Sequence, residues 1–257
     1  MVSASDHSTA AVLLVFNAGN TRVAVGHGIP GTPEFRQEFL PTEDFLARWT
    51  PPAEESSWRG VGACVVPAIR DGLRRLCPGR IHWISPADYP EIDLCGYPGE
   101  RLGADRLANI AAAHHLSPDR PVMVLDCGTA LNSVCVSADG RFLGGVILPG
   151  RETALRSLSR NTAQLPEFAV TAPHELNPLG RSTEEGIRNG VDLGILGAAE
   201  RIVRATRACA DMAECRVWFT GGDAPFFVKY LPEDLRVEQA PVPLTLLGIS
   251  LASQPHG

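Results

Sequence analysis

The chain has 257 residues, which at roughly 150 residues per domain leaves room for one large domain or two small ones. Hydrophobic residues make up 44% and charged residues 20%, so a core can be built and nothing in the composition points to disorder. Acidic residues outnumber basic ones by 29 to 23, a net charge of −6. That balance speaks against a nucleic-acid partner, because phosphate binding needs clustered positive charge.

The lysine count narrows the chemistry further. Lys229, between Val228 and Tyr230, is the only lysine. The chain therefore has no Gly-Lys-Ser/Thr of a P-loop, no protein-kinase lysine pattern and no Schiff-base lysine in a glycine-rich setting. Seven cysteines (Cys64, Cys77, Cys95, Cys127, Cys135, Cys209, Cys215) form no C-x-x-C pair. An odd number without close pairs fits neither a zinc site nor a disulfide framework, so reduced, mostly buried thiols of a cytoplasmic protein are expected. Met1 to Thr9 carries no Lys or Arg and leads into only a short apolar run, Ala10 to Phe16; neither a signal peptide nor a membrane span is expected there.

In chain order, Val12 to Phe16 reads as a buried strand, Asn17-Ala-Gly-Asn-Thr21 as a turn and Arg22 to Gly26 as a second strand. Pro51-Pro52 marks a loop, Val61 to Val66 a strand, Ala68 to Leu76 a short helix and Ile81 to Ser85 a strand, followed by a loop over Pro86 to Pro98. Gly103 to Leu116 carries Leu107, Ile110 and Ala111 at helical spacing and stops before Pro118. A polar break at Ser117 to Arg120 suggests a domain boundary, with halves at 10–118 and 119–257.

The first design then returns. Val122 to Leu125 runs into the turn Asp126-Cys-Gly-Thr-Ala130, and Leu131 to Ser137 is the next strand. Ala138-Asp-Gly140 is a hairpin turn leading to a third strand, Arg141 to Leu148. The turns begin 109 residues apart at Asn17 and Asp126, which points to internal duplication. An irregular stretch follows Pro166. Ser182-Thr-Glu-Glu185 is a capping box opening a long helix to about Ala210, and Arg216 to Thr220 is a strand ending in Gly221-Gly-Asp223. Gly186, Gly190, Gly194 and Gly197 lie inside the long helix. Each costs about 1 kcal/mol relative to alanine, so a smooth stripe packed closely by another helix or strand is expected, with approach to a ligand as the alternative.

A glycine in a tight turn lets backbone N–H groups point outward as an anion-binding concavity. Thr21 and Thr129 can donate to phosphate oxygens, and Asp126 can hold a cation. One such turn is an ordinary hairpin; two, each after a buried strand, look like two walls of a nucleotide site. Thr220-Gly-Gly-Asp223 could add a nucleoside platform.

These segments resemble the ASKHA phosphotransferases (the actin, Hsp70 and sugar-kinase fold) and, within them, type III pantothenate kinase. The carriers are Asn17-Ala-Gly-Asn-Thr21, Gly103-Ala-Asp-Arg106, Asp126-Cys-Gly-Thr-Ala130, Gly144-Gly-Val-Ile-Leu-Pro-Gly150, Asn161-Thr-Ala-Gln-Leu-Pro166, Arg181-Ser-Thr183 and Thr220-Gly-Gly222, in the family's order. The resemblance implies an α/β fold of two tandem ribonuclease-H-like halves with a nucleotide cleft. It also implies ATP-dependent phosphorylation of pantothenate, the first step toward coenzyme A, by a homodimer using Mg²⁺ and a monovalent cation, K⁺ or NH₄⁺.

Residue by residue, Asp105 resembles the general base for the attacking hydroxyl, and Arg106 the residue that grips the pantothenate carboxylate. Gly103, Ala104, Tyr97 and Thr183 resemble further substrate contacts. Asn17, Ala18, Gly19, Asn20, Thr21, Arg22, Gly128 and Thr129 resemble ATP contacts, and Asp126 a site for the monovalent cation. The chain departs from the family pattern at Asn17, where an aspartate is usual, and at Leu131-Asn-Ser-Val134, where a threonine and then an aspartate are usual. The substrate tyrosine falls at Tyr97, one position late, because Gly96 stands in its place; the asparagine usual after that tyrosine is absent. Asn17 keeps an acceptor oxygen without the charge that helps hold Mg²⁺. Asn17 and Val134 keep an alternative open: a catalytically impaired paralogue that binds nucleotide or pantothenate in a regulatory role. His114 and His115 face different sides of their helix, and Trp49, Trp58, Trp83 and Trp218 are scattered; both sets read as structural.

Overall fold

The computed structural model describes residues 12–28, 34–53, 58–170 and 175–253. Met1 to Ala11, where no leader was expected, lies outside the described residues. The apolar run that opens the chain becomes β1 (Val12–Ala18), with Leu13, Leu14, Val15 and Phe16 fully buried. Burial on both faces explains why its sequence does not alternate. β1 pairs antiparallel with β2 (Arg22–Gly28), which pairs antiparallel with β3 (Phe35–Pro41). On the other side β4 (Trp58–Cys64) runs parallel to β1, and β5 (Ile81–Trp83) parallel to β4. The sheet order is β3-β2-β1-β4-β5.

Two helices cover this sheet. α1 (Phe45–Arg48) delivers Phe45, and α2 (Pro67–Leu76) starts on a proline whose missing N–H costs nothing at that position and delivers Ile69 and Leu73. Trp49 meets Phe16 edge-on at 5.3 Å and stacks on Phe45 at 5.7 Å.

The second sheet repeats the plan. β6 (Val122–Cys127) is the central apolar strand, paired antiparallel with β7 (Ala130–Val136), which pairs with β8 (Phe142–Gly144) and β9 (Ile147–Pro149). β10 (Arg216–Thr220) lies parallel to β6, and β11 (Val237–Gln239) parallel to β10. The order β8-β7-β6-β10-β11 matches β3-β2-β1-β4-β5 in sequence and direction. The internal duplication expected from the two turns, and the ribonuclease-H-like α/β fold that the resemblance implies, are therefore present in both sheets.

The remaining helices are α3 (Ala104–Leu116), α4 (Arg151–Asn161), α5 (Thr183–Arg207), α6 (Ala224–Tyr230) and α7 (Leu244–Leu251). Ser182 caps α5 by accepting from the Glu185 N–H at 3.1 Å. Ile195, Leu196, Ala199 and Val203 of α5 join Met123, Leu125, Val217, Phe219 and Phe227 in the second core.

By packing, the chain parts into two units. Met1–Tyr89, Gly99–Ala108 and Thr245–Gly257 form one; Pro90–Pro98 and Asn109–Leu244 form the other. This partition differs from the expected halves 10–118 and 119–257: it places α3 from Asn109 onward in the second unit and most of α7 in the first. Gly248 rests so closely on Ala108 that any Cβ would overlap the Ala108 carbonyl, and the Tyr89 hydroxyl donates to Gly248 O at 2.8 Å.

Three expectations need correction. The turns are shorter than read: Asn17 and Ala18 stay in β1, Asp126 and Cys127 in β6, and Ala130 begins β7, because cross-strand pairing continues at Asn17↔Ala24 and Asp126↔Asn132. The third strand of the second sheet is broken between Gly144 and Ile147. Gly144 has φ +112°, and Ser133 stitches the break, its N–H donating to Val146 O at 2.8 Å and its hydroxyl accepting from Val146 N at 3.1 Å. Finally, a Cβ built at Gly186, Gly190, Gly194 or Gly197 meets nothing within 4 Å. All four glycines are exposed on the face of α5 opposite its buried residues, and only Gly180, lying against the Gly186 backbone, is seen to approach the stripe among the described residues.

Candidate active site

The turn of the first unit is held from behind. Gly19 N–H closes it by donating to Arg22 O at 3.1 Å; the Thr42 hydroxyl donates to Gly19 O at 2.7 Å, and Thr42 N–H donates to Thr21 O at 3.1 Å. With the Gly19, Thr21 and Arg22 carbonyls occupied, the turn is left with Asn20, Thr21 and Arg22 exposed. The Arg22 guanidinium lies 5.0 Å from the Phe39 ring centroid. Asn17, half-buried at the base of the turn, is the polar side chain that the strand delivers there.

The second unit's turn is built alike. Gly128 N–H donates to Ala130 O at 3.0 Å, and Thr129 O accepts from Gly150 N–H at 3.0 Å and from the Thr153 hydroxyl at 2.6 Å. Gly150 presses so closely on Gly128 O that no side chain fits. Gly128 and Thr129 are exposed. Asp126, at the base, accepts from the Asn109 amide at 3.3 Å. Its cross-strand neighbour Asn132 is 9% exposed, and the Asn132 Oδ1 has no hydrogen-bond partner among the described residues.

The loop after β10 closes on the same strand end. Asp223 N–H donates to Cys127 O at 3.1 Å, and Gly221, with φ +89°, leaves 2.6 Å between a would-be Cβ and Cys127 O and 2.7 Å to Asp126 Oδ1. Behind this loop Arg151, 3% exposed, is bidentate to Asp192 at 2.8 and 3.0 Å and reaches Asp223 at 3.2 Å. Its guanidinium sits 3.7 Å from the Phe226 ring centroid. Burial pushes the Asp223 carboxyl up from its ordinary range, against the pull of Arg151. Burial also pushes the Cys127 thiol well up, with Asp126 and Asp223 adding to it, so this cysteine is a packed thiol and not a nucleophile.

Asp105 belongs to the first unit, in the opening turn of α3. Its Oδ1 accepts from Arg106 N–H at 2.9 Å and would lie 2.6 Å from a Cβ at Gly103, so the carboxylate folds back over that glycine. A carboxylate at a helix N-terminus is favoured by the dipole. Ala104 and Arg106, both half-buried, flank it. Tyr97, in the second unit, is 39% exposed and meets Phe142 edge-on at 5.5 Å. It lines a groove of about 600 Å³ with Leu94, Cys95, Arg141 and Gly144. Thr183 is exposed at the first position of α5. Within the second unit the fold thus brings Asp126, Gly128, Thr129 and the Gly221–Asp223 loop together.

Sequence reading missed Asn109, Arg151 and Asp192. Asp192 had a signal: it shares the helical stripe of Ile195, Leu196, Ala199 and Val203, and a carboxylate on an apolar stripe demands a buried partner. Asn109 sat likewise among apolar residues of α3. Nothing in the sequence marked Arg151.

Comparison with known proteins bears on this arrangement. The family model for type III pantothenate kinase matches residues 13–205. The chain belongs to the type III pantothenate kinase family. Its relatives include the type III pantothenate kinase of Frankia casuarinae, 32% identical over 93% of this chain and 98% of the relative. That of a Parafrankia species is 40% identical over 75% of this chain and 76% of the relative. A Baf family protein from Campylobacter jejuni superposes with a TM-score of 0.60 at 18% identity, covering 93% of this chain and 96% of its own. The ADPNP-bound activator of 2-hydroxyisocaproyl-CoA dehydratase from Clostridium difficile reaches 0.51 at 12% identity, with 93% of each chain covered. These two structures share the fold. Membership in the pantothenate kinase family makes the chain a kinase, and none of the relatives named here favours the impaired-paralogue alternative.

Proposed function

We propose that this kinase transfers the γ-phosphoryl group of ATP to the primary hydroxyl of pantothenate, opening coenzyme A synthesis, with Asp105 as general base. The observation that carries the assignment of the base is the placement of the Asp105 carboxylate, fixed over Gly103 by the Arg106 N–H in a positively polarised helix terminus. The carboxylate accepts the hydroxyl proton as the oxygen attacks phosphorus, and ADP leaves with the γ-bridging electrons. Arg106 pairs with the pantothenate carboxylate, a task suited to a planar guanidinium, beside Gly103 and Ala104. Tyr97 and Thr183 complete the substrate contacts. Asn17, Ala18, Gly19, Asn20, Thr21, Arg22, Gly128 and Thr129 line the ATP, with the exposed hydroxyls of Thr21 and Thr129 donating to phosphate oxygens, and catalysis rests on positioning and charge neutralisation.

Two ions belong to the proposal. The second turn suits a monovalent cation, K⁺ or NH₄⁺: the Asp126 carboxylate and the unpaired buried oxygen of Asn132 form an oxygen donor set. A bound monovalent cation there would offset phosphate charge. No cluster of three or more His, Cys, Asp or Glu side chains forms a ready metal site among the described residues. Mg²⁺ would then be held mainly by the phosphates and waters, as it commonly is, with Asn17 offering only a neutral oxygen; it would neutralise charge on the transferring group.

A homodimer is part of the same reading, supported by the uncovered glycine stripe of α5, which suits close approach of a second helix. So is a cytoplasmic location, in keeping with seven free thiols and with the absence, among the described residues, of any helix long and apolar enough to cross a membrane. The test is ADP release by the purified protein with ATP, Mg²⁺ and K⁺, with and without pantothenate. Release that depends on pantothenate is expected; release indifferent to pantothenate rejects this substrate.

A further inference from the structure

Arg151 is buried and charged, yet neither turn residues nor substrate contacts account for it. Its backbone and its side chain do two separate things. As the first residue of α4 it follows Gly150, whose N–H holds Thr129 O, and its helix supplies Thr153 to the same oxygen. Its guanidinium, clamped by Asp192 of α5, reaches Asp223 in the loop lying on Cys127 O and Asp126. Arg151 thus links the start of α4, whose Gly150 and Thr153 hold the Gly128–Thr129 turn, to the Gly221–Asp223 loop. Its flat face stacks on Phe226, at the third position of α6, which that loop begins.

A buried ion pair is a poor way to add stability, since an apolar set of similar volume serves as well or better. What it does supply is fixed direction: a bidentate fork has a single geometry, and a guanidinium stacked on an aromatic ring cannot rotate. One cation also serves two carboxylates here, and the Asp223 side chain remains about a quarter exposed, at 26%. We propose that Arg151 is a positioning residue: through Asp192 and Asp223 it sets the loop Gly221–Asp223 against the Gly128–Thr129 turn and so shapes the nucleotide side of the second unit. This rests on the kinase reading above.

The experiment compares wild type with Arg151→Lys, Arg151→Met and Arg151→Met/Asp192→Leu, using Arg156→Gln on the exposed face of α4 as control. Amide exchange of the free proteins and apparent KM values for ATP and pantothenate are measured together. Loss of the fork should speed exchange over residues 126–130 and 221–224 in both single variants. It should raise the KM for ATP by about tenfold or more, as small misplacements do, while the KM for pantothenate stays within about twofold. The double variant removes the stranded Asp192 charge and should recover its unfolding midpoint but not its KM for ATP. A double variant that recovers both, or single variants with unchanged exchange in the two segments and unchanged KM for ATP, would overturn the positioning role. A wild type that shows no ATP turnover overturns the kinase reading instead, and the two failures are thereby told apart.

Discussion

The turn after β1 and the turn after β6 are the same device, one with a neutral base and one with a carboxylate. Each follows a buried strand, each is closed by a glycine N–H, and each has a carbonyl tied back by a threonine hydroxyl, Thr42 on Gly19 O and Thr153 on Thr129 O. At the base of the first stands neutral Asn17; at the base of the second stands Asp126, braced by Asn109 and lying against the loop of Gly221. The first turn has Thr42 behind it, while the second is wedged by Gly150 with no room for a side chain. The backbone cradle has been kept twice. The charge has been kept once, and the second copy carries the denser support.

Variants at matched positions sharpen this contrast. Gly150→Ala forces a Cβ into Gly128 O and should destabilise the protein by about 1–3 kcal/mol, the usual cost of overpacking. Gly19→Ala meets only Arg22 O, at 3.3 Å, and should cost less than about 1 kcal/mol. Urea unfolding midpoints compare the two, and equal losses would break the asymmetry. Smaller in effect, Asn17→Asp gives the first turn the charge of the second and should lower the Mg²⁺ needed for half-maximal rate, by up to about tenfold for one added charge contact of ~1.4 kcal/mol. Asp126→Asn makes the reverse exchange and should weaken activation by K⁺ with less change in the Mg²⁺ requirement. Magnesium and potassium titrations read both. Smallest is a thiol count. Burial pushes the Cys135 thiol up to about 12, with neighbouring thiols adding, so it stays protonated at assay pH and cannot attack a disulfide reagent. Of the seven cysteines only Cys95 and Cys209 are exposed, and two fast-reacting thiols per native chain are expected from Ellman's reagent.

What was legible in the sequence was local. Val12 to Phe16 and Val122 to Leu125 announced central strands because a strand buried on both faces must be apolar throughout. The glycine turns, Ser182 at the start of α5 and the stop of α3 before Pro118 are punctuated by residues with few other uses. β3 was not visible: it is a largely exposed edge strand, Phe35-Arg-Gln-Glu-Phe-Leu-Pro41, and its side chains follow no clean alternation. The broken third strand of the second sheet depends on Ser133 bonding across to Val146, a tertiary event that the hairpin turn at Ala138 to Gly140 cannot signal. The glycine stripe was read as packed by another helix or strand, and nothing described in this chain meets a Cβ built on it. In the candidate site the turn residues and Asp105 could be proposed because they sit in short motifs. Arg151 and Asp192 were not, since they meet across 41 residues and their chemistry exists only once α4 and α5 are docked.

The role of Asp105 as general base is tested most directly by mass-spectrometric detection of phosphorylated pantothenate made by wild type and by Asp105→Asn, with ATP binding measured alongside. Wild type should form the product, and the variant should bind ATP normally while turning over about a hundredfold more slowly or worse, the least that loss of a general base costs. A variant that phosphorylates pantothenate at the wild-type rate would contradict it.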